Sequence, residues 1–501
     1  MPVVFSDAIP QDARTREWWY NALDAAVTLE IHEVLARKNS GTVVYAFERA
    51  LQGPALDMML RGFSIDPVWR SRSITELAAR EAKLEAILDR LARAVWSKPL
   101  NPRSPKQLLE FFYGELRLPE VWTSKKGVRK LSTDREAMEK LSDYYLARPF
   151  INTILAARDT RKQLGVLRTG IDPDGRMRCT YNVCGTETGR WASSQNVFGR
   201  GTNLQNITGK LRRMFVADEG MILLYVDGEQ AESRAVGVIE GILFDDWTYL
   251  DACEAGDLHT IVTQMTWENL PWTGNLKADR EIAEQLFYRH FTYRDMAKRG
   301  GHGTNYYGKP WTMAKHLKVP RGLIEEFQTK YFSAFPAHAR WHAWVAQQLI
   351  TKQSITTFMG RERTFYGRPN DEATLRKAIA YEPQSAVGDI VNQGMFQVWK
   401  KFPQVQMLGQ IHDAFLCQIP QDRLDLIDPI CQAFQVPITL PNGRTFVIPS
   451  EAKLGWNWAD EDGKRKTFSD GNPDGLRKWK GRDERTRTEN PEADLLDRVL
   501  F

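Results

Sequence analysis

The sequence predicts an α+β protein with more than one domain. Three observations carry this prediction: long stretches with helical apolar spacing, short apolar strands that end on carboxylates, and the segregation of the two along the chain. Residues 17–38 (EWWYNALDAAVTLEIHEVLARK) read as a helix with an apolar stripe. Residues 73–95 read as a second helix. Ser73-x-x-Glu76 fits a capping box, and Leu84, Ile87, Leu88, Leu91 and Val95 recur at helical spacing. The Pro-Arg-Ser-Pro run at 102–105 breaks the pattern, and a polar, Lys-rich segment follows at 123–130. From about residue 176 the texture turns β-prone and rich in Gly, Ser and Thr. MILLYVD (221–227) then reads as a buried strand ending on Asp227. Helical, Trp-rich sequence runs on to about residue 350. QVQMLGQIHDAFLCQIP (404–420) reads as two apolar strands around a polar His-Asp turn. After Trp458 the composition is charged and punctuated by Gly and Pro, as expected of a mobile tail.

With 501 residues, of which 42% are hydrophobic and 26% charged, the chain has the material for two or more packed cores. No apolar run reaches membrane-spanning length, so no membrane partner is expected. The N-terminal MPVVFSDAIPQDAR has neither a signal-peptide nor a transit-peptide pattern. Cys179, Cys184, Cys253, Cys417 and Cys431 form no C-x-x-C pair, which predicts reduced thiols in a cytoplasmic protein and no zinc cage. The net charge is only +5, so any nucleic-acid surface must come from local clustering.

GTNYYGK (303–309) fits all but the last letter of a phosphate-binding loop. Pro310 stands where the Mg²⁺-holding hydroxyl belongs, and the upstream FTYRDMAKRGGH is basic and not strand-like. Side chains are the better candidates for phosphate contact. In a helix from about 290, Arg294, Lys298, His302 and Tyr306 follow at a spacing of four along one stripe. Two cations, an imidazole and a phenol suit a nucleoside triphosphate. Alone, the stretch fits a solvated basic helix with an aromatic end better, and the glycines at 300–303 weaken the helix by about 1 kcal/mol each.

Asp227 at a strand end and Asp413 in a tight turn are a second pattern. A charge at the mouth of a buried sheet is costly unless solvated or bound to a cation. Either aspartate alone fits an ordinary strand or turn cap. Brought together, the two would repel and would call for divalent ions between them, as in two-metal phosphoryl transfer.

In its motifs the chain resembles family A (DNA polymerase I-like) DNA polymerases, over most of its length and in order. TETGRWASS (186–194) followed by NLQNI (203–207) is similar to that family's TxTGRLSS…NLQNIP. DGEQAESR (227–234) resembles its DYSQIELR, and Asp257-Leu-His259 its DIH. The Arg294–Tyr306 stripe resembles RxxxKxxxFGxxYG, and Arg376 with QSAVGD (384–389) resembles R…QGTAAD. QIHD (410–413) resembles QVHDE, and LGWNW (454–458) the closing GxNW.

The resemblance implies a right-hand polymerase fold with thumb, palm (antiparallel sheet) and helical fingers. It places the thumb at 46–150, the palm at 151–235 and 373–459, the fingers at 236–372 and a charged tail at 460–501. It also implies DNA synthesis on a primer-template from dNTPs. Asp227 and Asp413 would be catalytic and would bind two Mg²⁺ ions with the carbonyl of Gly228. Gln230, His259, Arg294 and Lys298 would contact phosphates, Glu232 would be the steric gate against ribose, and His302 and Tyr306 would line the base and sugar pocket. Arg190, Asn203, Asn206, Arg376, Gln384, Gln410 and His412 would contact primer-template. Two rivals stay open: a single-subunit RNA polymerase-like enzyme, against which Glu232 and the TETGR…NLQN block argue, and an inactive primer-template binding module, against which both aspartates argue.

The departures carry expectations of their own. His302 replaces the usual Phe or Tyr, Ala414 replaces an accessory Glu, and the small Gly228, Ala231 and Ala380 predict a looser nucleotide pocket. YNALDA (20–25) resembles the last motif of a 3′–5′ exonuclease whose other motifs are absent. Residues 1–45 are therefore expected to be an exonuclease remnant without proofreading activity: either a separate exonuclease subunit docks there, or proofreading has been lost and the helix survives as scaffold. Missing nuclease portions point to a phage or a split gene, hence to a bacterial or phage-infected cytoplasm. Leu495, Leu496, Val499, Leu500 and Phe501 form a candidate peptide for a processivity factor.

Overall fold

The computed structural model describes residues 12–39, 42–125, 128–289, 291–462 and 467–481. In chain order its main elements begin with helices α1 (Ala13–Asn39), α2 (Pro67–Trp96) and α3 (Arg148–Leu167). Strand β1 (Met221–Gly228) follows, then α4 (Ala231–Phe244), α5 (Thr248–Glu254), α6 (Leu258–Thr266) and α7 (Tyr293–Asn305). Next come α8 (Arg321–Ala334), α9 (Pro336–Thr351) and α10 (Glu372–Lys401). Strands β2 (Gln406–Ile411), β3 (Ala414–Pro420), β4 (Ser450–Gly455) and β5 (Arg477–Lys478) complete the set. Helices and antiparallel sheets are both present, as the α+β expectation requires.

The chain divides into two compact units. One comprises Leu56–Thr186, Trp191–Ala231 and Gln393–Phe501. Its centre is an antiparallel sheet in the order β2-β3-β1-β4-β5. β3 is buried on both faces, with Phe415, Leu416, Cys417 and Ile419 all fully covered. Each such side chain stabilises the fold by about 1.5–3 kcal/mol, which drives this register against any slip. Beside the sheet, Phe63, Phe215 and Trp458 form an aromatic trio with centroids 5.2–5.6 Å apart. A separate cluster of Leu88, Phe111, Phe112, Met138, Ile151 and Ile154 holds α2 against α3.

The second helix differs from its predicted start. It begins at Pro67, with Asp66 accepting from the N–H groups of Val68 and Trp69, whereas Ser73 lies inside it, buried. Proline at the first helical position plus an aspartate cap outcompetes a serine six residues later. The break at 102–105 is as read, since Ser104 caps a new helix that opens on Pro105.

The expected tail from residue 460 is corrected in part. β5 pairs with β4, Leu476 and Asn472 are buried, and Asn472 and Asn457 exchange side-chain hydrogen bonds. The buried Leu476 and a satisfied amide pair outweigh the charged composition around them. The expected processivity peptide at 495–501 lies outside the described residues.

The other unit comprises Met1–Ala55, Glu187–Arg190 and Glu232–Asn392. Its core is aromatic: Tyr249, Phe327, Tyr331, Phe335, Trp341 and Tyr381 are all buried. α1 is helical as predicted, but its apolar stripe covers nothing described. Trp18, Tyr20, Leu29, Ile31 and Val34 are each more than half exposed. No described helix is long and apolar enough to cross a membrane.

Candidate active site

Asp227 closes β1, and Asp413 sits in the two-residue reversal between β2 and β3. The ladder pairs Asp227 with Ala414 on one side and with Glu451 on the other. The N–H of Gly228 donates to the carbonyl oxygen of Asp413 at 3.1 Å, tying strand end to turn. The sequence therefore brings the two predicted catalytic carboxylates together. His412 takes φ 58°, the left-handed conformation that such tight reversals need. The Gln410 amide is buried and bonded at both ends: Nε2 donates to the carbonyl of His412 at 2.7 Å, and Oε1 accepts from Gln205 at 2.8 Å. Gln410 is a brace under the turn; His412 itself is exposed.

The electrostatics follow from crowding. Burial pushes the Asp227 carboxyl up to about 7, and neighbouring Asp413, Glu451 and Glu229 push the same way against Lys453. Two unit charges at ~4 Å interact by about 4 kcal/mol at an effective dielectric constant near 20, so one added divalent cation outweighs this repulsion. The donors are all hard oxygens, which suits Mg²⁺. Among the described residues no three-ligand His, Cys, Asp or Glu cage is gathered. Mg²⁺ takes few protein ligands and completes its shell with water and phosphate oxygens, so a carboxylate pair fits it.

Gly228 does not leave the opening that its small size predicts. A Cβ there would meet Ile448 Cγ2 at 3.2 Å and the Asp413 carbonyl oxygen at 3.4 Å. Gln230 takes a left-handed conformation, and its buried Oε1 has no hydrogen-bond partner among the described residues. Asn203 caps the short helix Leu204–Asn206 and accepts from Ser193 at 2.8 Å; Asn206 is exposed.

In the helical unit, Thr292 and Asp295 form a capping box that starts α7. Its glycines permit close packing. A Cβ on Gly300 would stand 2.6 Å from the Phe327 ring, and one on Gly303 would stand 2.7 Å from Met313. Arg294 is held in a two-pronged ion pair by Asp257, at 2.8 and 2.9 Å. Asp257 in turn accepts from the N–H of His259 at the start of α6. Burial pushes His259 down to about 4, helped by Arg294, Lys298 and His302 against Asp257. The predicted phosphate ligands of this unit therefore share one positive neighbourhood, with Lys298 and His302 exposed.

Tyr306 donates its hydroxyl hydrogen to Glu232 Oε2, and Arg190 donates to Glu232 Oε1 at 2.6 Å. Burial, then the Glu232 charge, pushes the Tyr306 phenol well above its ordinary value. Arg190 also reaches the carbonyl of Gln384 at 3.3 Å, and the Gln384 side chain bonds Tyr306. The His302 and Tyr306 rings meet edge to face at 5.0 Å. Arg376 is exposed beside Glu372.

A family model described as DNA polymerase family A matches residues 72–460. The chain belongs to DNA polymerase family A. This family A chain is similar to the thermostable DNA polymerase I of Thermus aquaticus, with 26% identity over 82% of this chain and 47% of that one. It is also similar to the enzyme of Thermus filiformis, with 28% identity over 83% and 48%. It thus spans about half the length of the curated relatives it matches. A solved structure, the POL domain of Pol1 from M. smegmatis in complex with DNA primer-template and dNTP, matches with a TM-score of 0.68. That match has 22% identity and covers 85% of this chain and 73% of that one, and it supports the polymerase-domain fold.

Sequence reasoning about this family A chain missed Asp257 as the partner of Arg294, Gln205 as the partner of Gln410, and Glu451 beside Asp227. Only Asp257 carried a local signal, its place in the DLH triplet.

Proposed function

We propose that this chain is a template-directed DNA polymerase that adds deoxyribonucleotides to a primer 3′ end. The observation that supports this best is the meeting of Asp227 and Asp413 at one mouth of the sheet. Asp227 and Asp413, with the Gly228 carbonyl, would hold two Mg²⁺ ions, whose charge activates a primer hydroxyl and offsets a leaving pyrophosphate.

The other roles belong to side chains. Arg294, Lys298, His259 and Gln230 would bind the triphosphate, His302 and Tyr306 would meet base and sugar, and Glu232 would exclude a ribose 2′-hydroxyl. Arg190, Asn203, Asn206, Arg376, Gln384 and His412 would contact primer-template, with Gln410 acting through the turn it braces. On this reading residues 46–150 are the thumb, 151–235 and 373–459 the palm, and 236–372 the fingers. The exposed aromatic and aliphatic side chains of α1 support a cover there, and a separate 3′–5′ exonuclease subunit is the partner that the YNALDA stretch favours. A processivity factor at 495–501 and a cytoplasmic setting complete the proposal.

The test is extension of a labelled primer on a template by the purified chain with Mg²⁺ and all four dNTPs. Templated extension that stops when the metal is chelated is the expected result. A folded chain that binds primer-template and extends nothing would leave only a binding module.

A further inference from the structure

Adjoining Tyr306, a line of buried polar side chains crosses the helical unit, and nothing above gives it a role. Glu240 on α4 and His338 on α9 are both essentially inaccessible, with Oε1 and Nδ1 2.8 Å apart. Among the described residues neither atom has another hydrogen-bond partner, so this contact is the one each of them makes. On the far side of the ring, Nε2 of His338 lies 3.4 Å from the Tyr331 hydroxyl. Tyr331 donates to Asn305 Oδ1 at 2.8 Å, and Asn305 Nδ2 donates to the Tyr249 hydroxyl at 3.0 Å. Tyr249 is hydrogen-bonded to Ser233. Asn305 ends α7 immediately before Tyr306, and Ser233 immediately follows Glu232. The line therefore starts and finishes on α4 and passes through the end of the helix that carries Tyr306.

Its direction follows from the Asn305 amide. Nδ2 donates to Tyr249 and Oδ1, which can only accept, faces Tyr331, so Tyr331 gives its only proton to Oδ1. Towards His338, Tyr331 can then only accept, so Nε2 must carry hydrogen. Nδ1 then faces the Glu240 carboxyl 2.8 Å away, so that carboxyl decides which ring nitrogen turns to Tyr331. Without Glu240 the ring is free to take the opposite tautomer. Nε2 would then compete with Asn305 for the Tyr331 proton.

We propose that Glu240 and His338 are positioning residues for nucleotide selection. By setting the direction of this line they hold the Asn305–Tyr306 junction, and with it the Tyr306–Glu232 pair. The inference rests on the reading of that pair as the sugar-side contact of a polymerase.

The test measures incorporation of a deoxyribonucleotide and its ribonucleotide counterpart on one primed template by the full chain. Tyr331→Phe removes one oxygen from the middle of the line and keeps the ring. The double change Glu240→Leu with His338→Leu removes the pair without stranding a buried group. Both are expected to raise the deoxyribonucleotide KM about 5- to 10-fold with kcat within twofold, and to lower sugar preference by a similar factor. Glu240→Gln, whose amide donates to Nδ1 and keeps hydrogen on Nε2, should restore both within twofold. A merely structural role would lower the melting temperature and leave KM and preference unchanged. An active parent whose Tyr331→Phe variant keeps both values overturns the inference alone, whereas a parent inactive with either nucleotide removes the polymerase reading beneath it.

Discussion

Tyr306 and Glu232, 74 residues apart in sequence, share one hydrogen bond, and Arg190 holds the other carboxylate oxygen of Glu232. Glu232 is thereby fixed in place by two donors. If it is the gate, Glu232→Ala should relax sugar selection while leaving templated synthesis intact. Relief of a clash costing about 1–3 kcal/mol corresponds to a rise of roughly 5- to 150-fold in relative ribonucleotide use. Competition between matched ribo- and deoxyribonucleotides checks this, and an unchanged ratio would remove the gate assignment.

Gly300 sits inside α7 against the Phe327 ring. Alanine is favoured over glycine in a helix by about 1 kcal/mol, but overpacking a core costs about 1–3 kcal/mol. With 2.6 Å to the ring, the steric cost should win. Gly300→Ala is therefore expected to lower the melting temperature; a rise would show that Phe327 moves aside freely.

Glu382 lies inside α10, 5% exposed, with Oε2 lacking a hydrogen-bond partner. Burial pushes its carboxyl up to about 8 from an ordinary 4.5. A folded value above the unfolded one contributes stability that is fully present below 4.5 and is lost as pH rises through the window to 8. Glu382→Gln should therefore match the parent near pH 4.5 and exceed it by about 4 kcal/mol at pH 8 in urea denaturation. An equal gap at both pH values would contradict this.

The depressed His259 gives a prediction of opposite sign. Its imidazole is neutral well below its ordinary 6.5, held so by burial and by Arg294 and Lys298. A triphosphate bound there would restore its affinity for a proton. Nucleotide binding at about pH 5.5 is then expected to take up a fraction of a proton, read by calorimetry in two buffers of different ionisation heat. His259→Gln should abolish that uptake; persistence of it would place the phosphates elsewhere.

What the sequence made legible was local. β1 announces itself as an apolar run ending on Asp227, and the His412-Asp413 reversal is flanked by apolar strands. Arg294, Lys298 and His302 follow from helical spacing once α7 exists. The glycines at 300, 301 and 303 argued against that helix because local propensity cannot show Phe327, Tyr331 and Met313 arriving from elsewhere. The same limit hid Glu451 opposite Asp227, Gln205 on Gln410, and Glu240 beside His338. Each pair is set by strand register or packing between segments far apart in the chain, on which spacing within one segment is silent.

The claim beneath all of this is that Asp227 and Asp413 act as one cation-holding unit. Single-turnover incorporation of one correct nucleotide by Asp413→Asn, a change of one atom, tests it most directly. The account predicts a loss of at least about 1000-fold, equivalent to about 4 kcal/mol of transition-state stabilisation, in a protein that still binds primer-template. A rate within tenfold of the parent would contradict it.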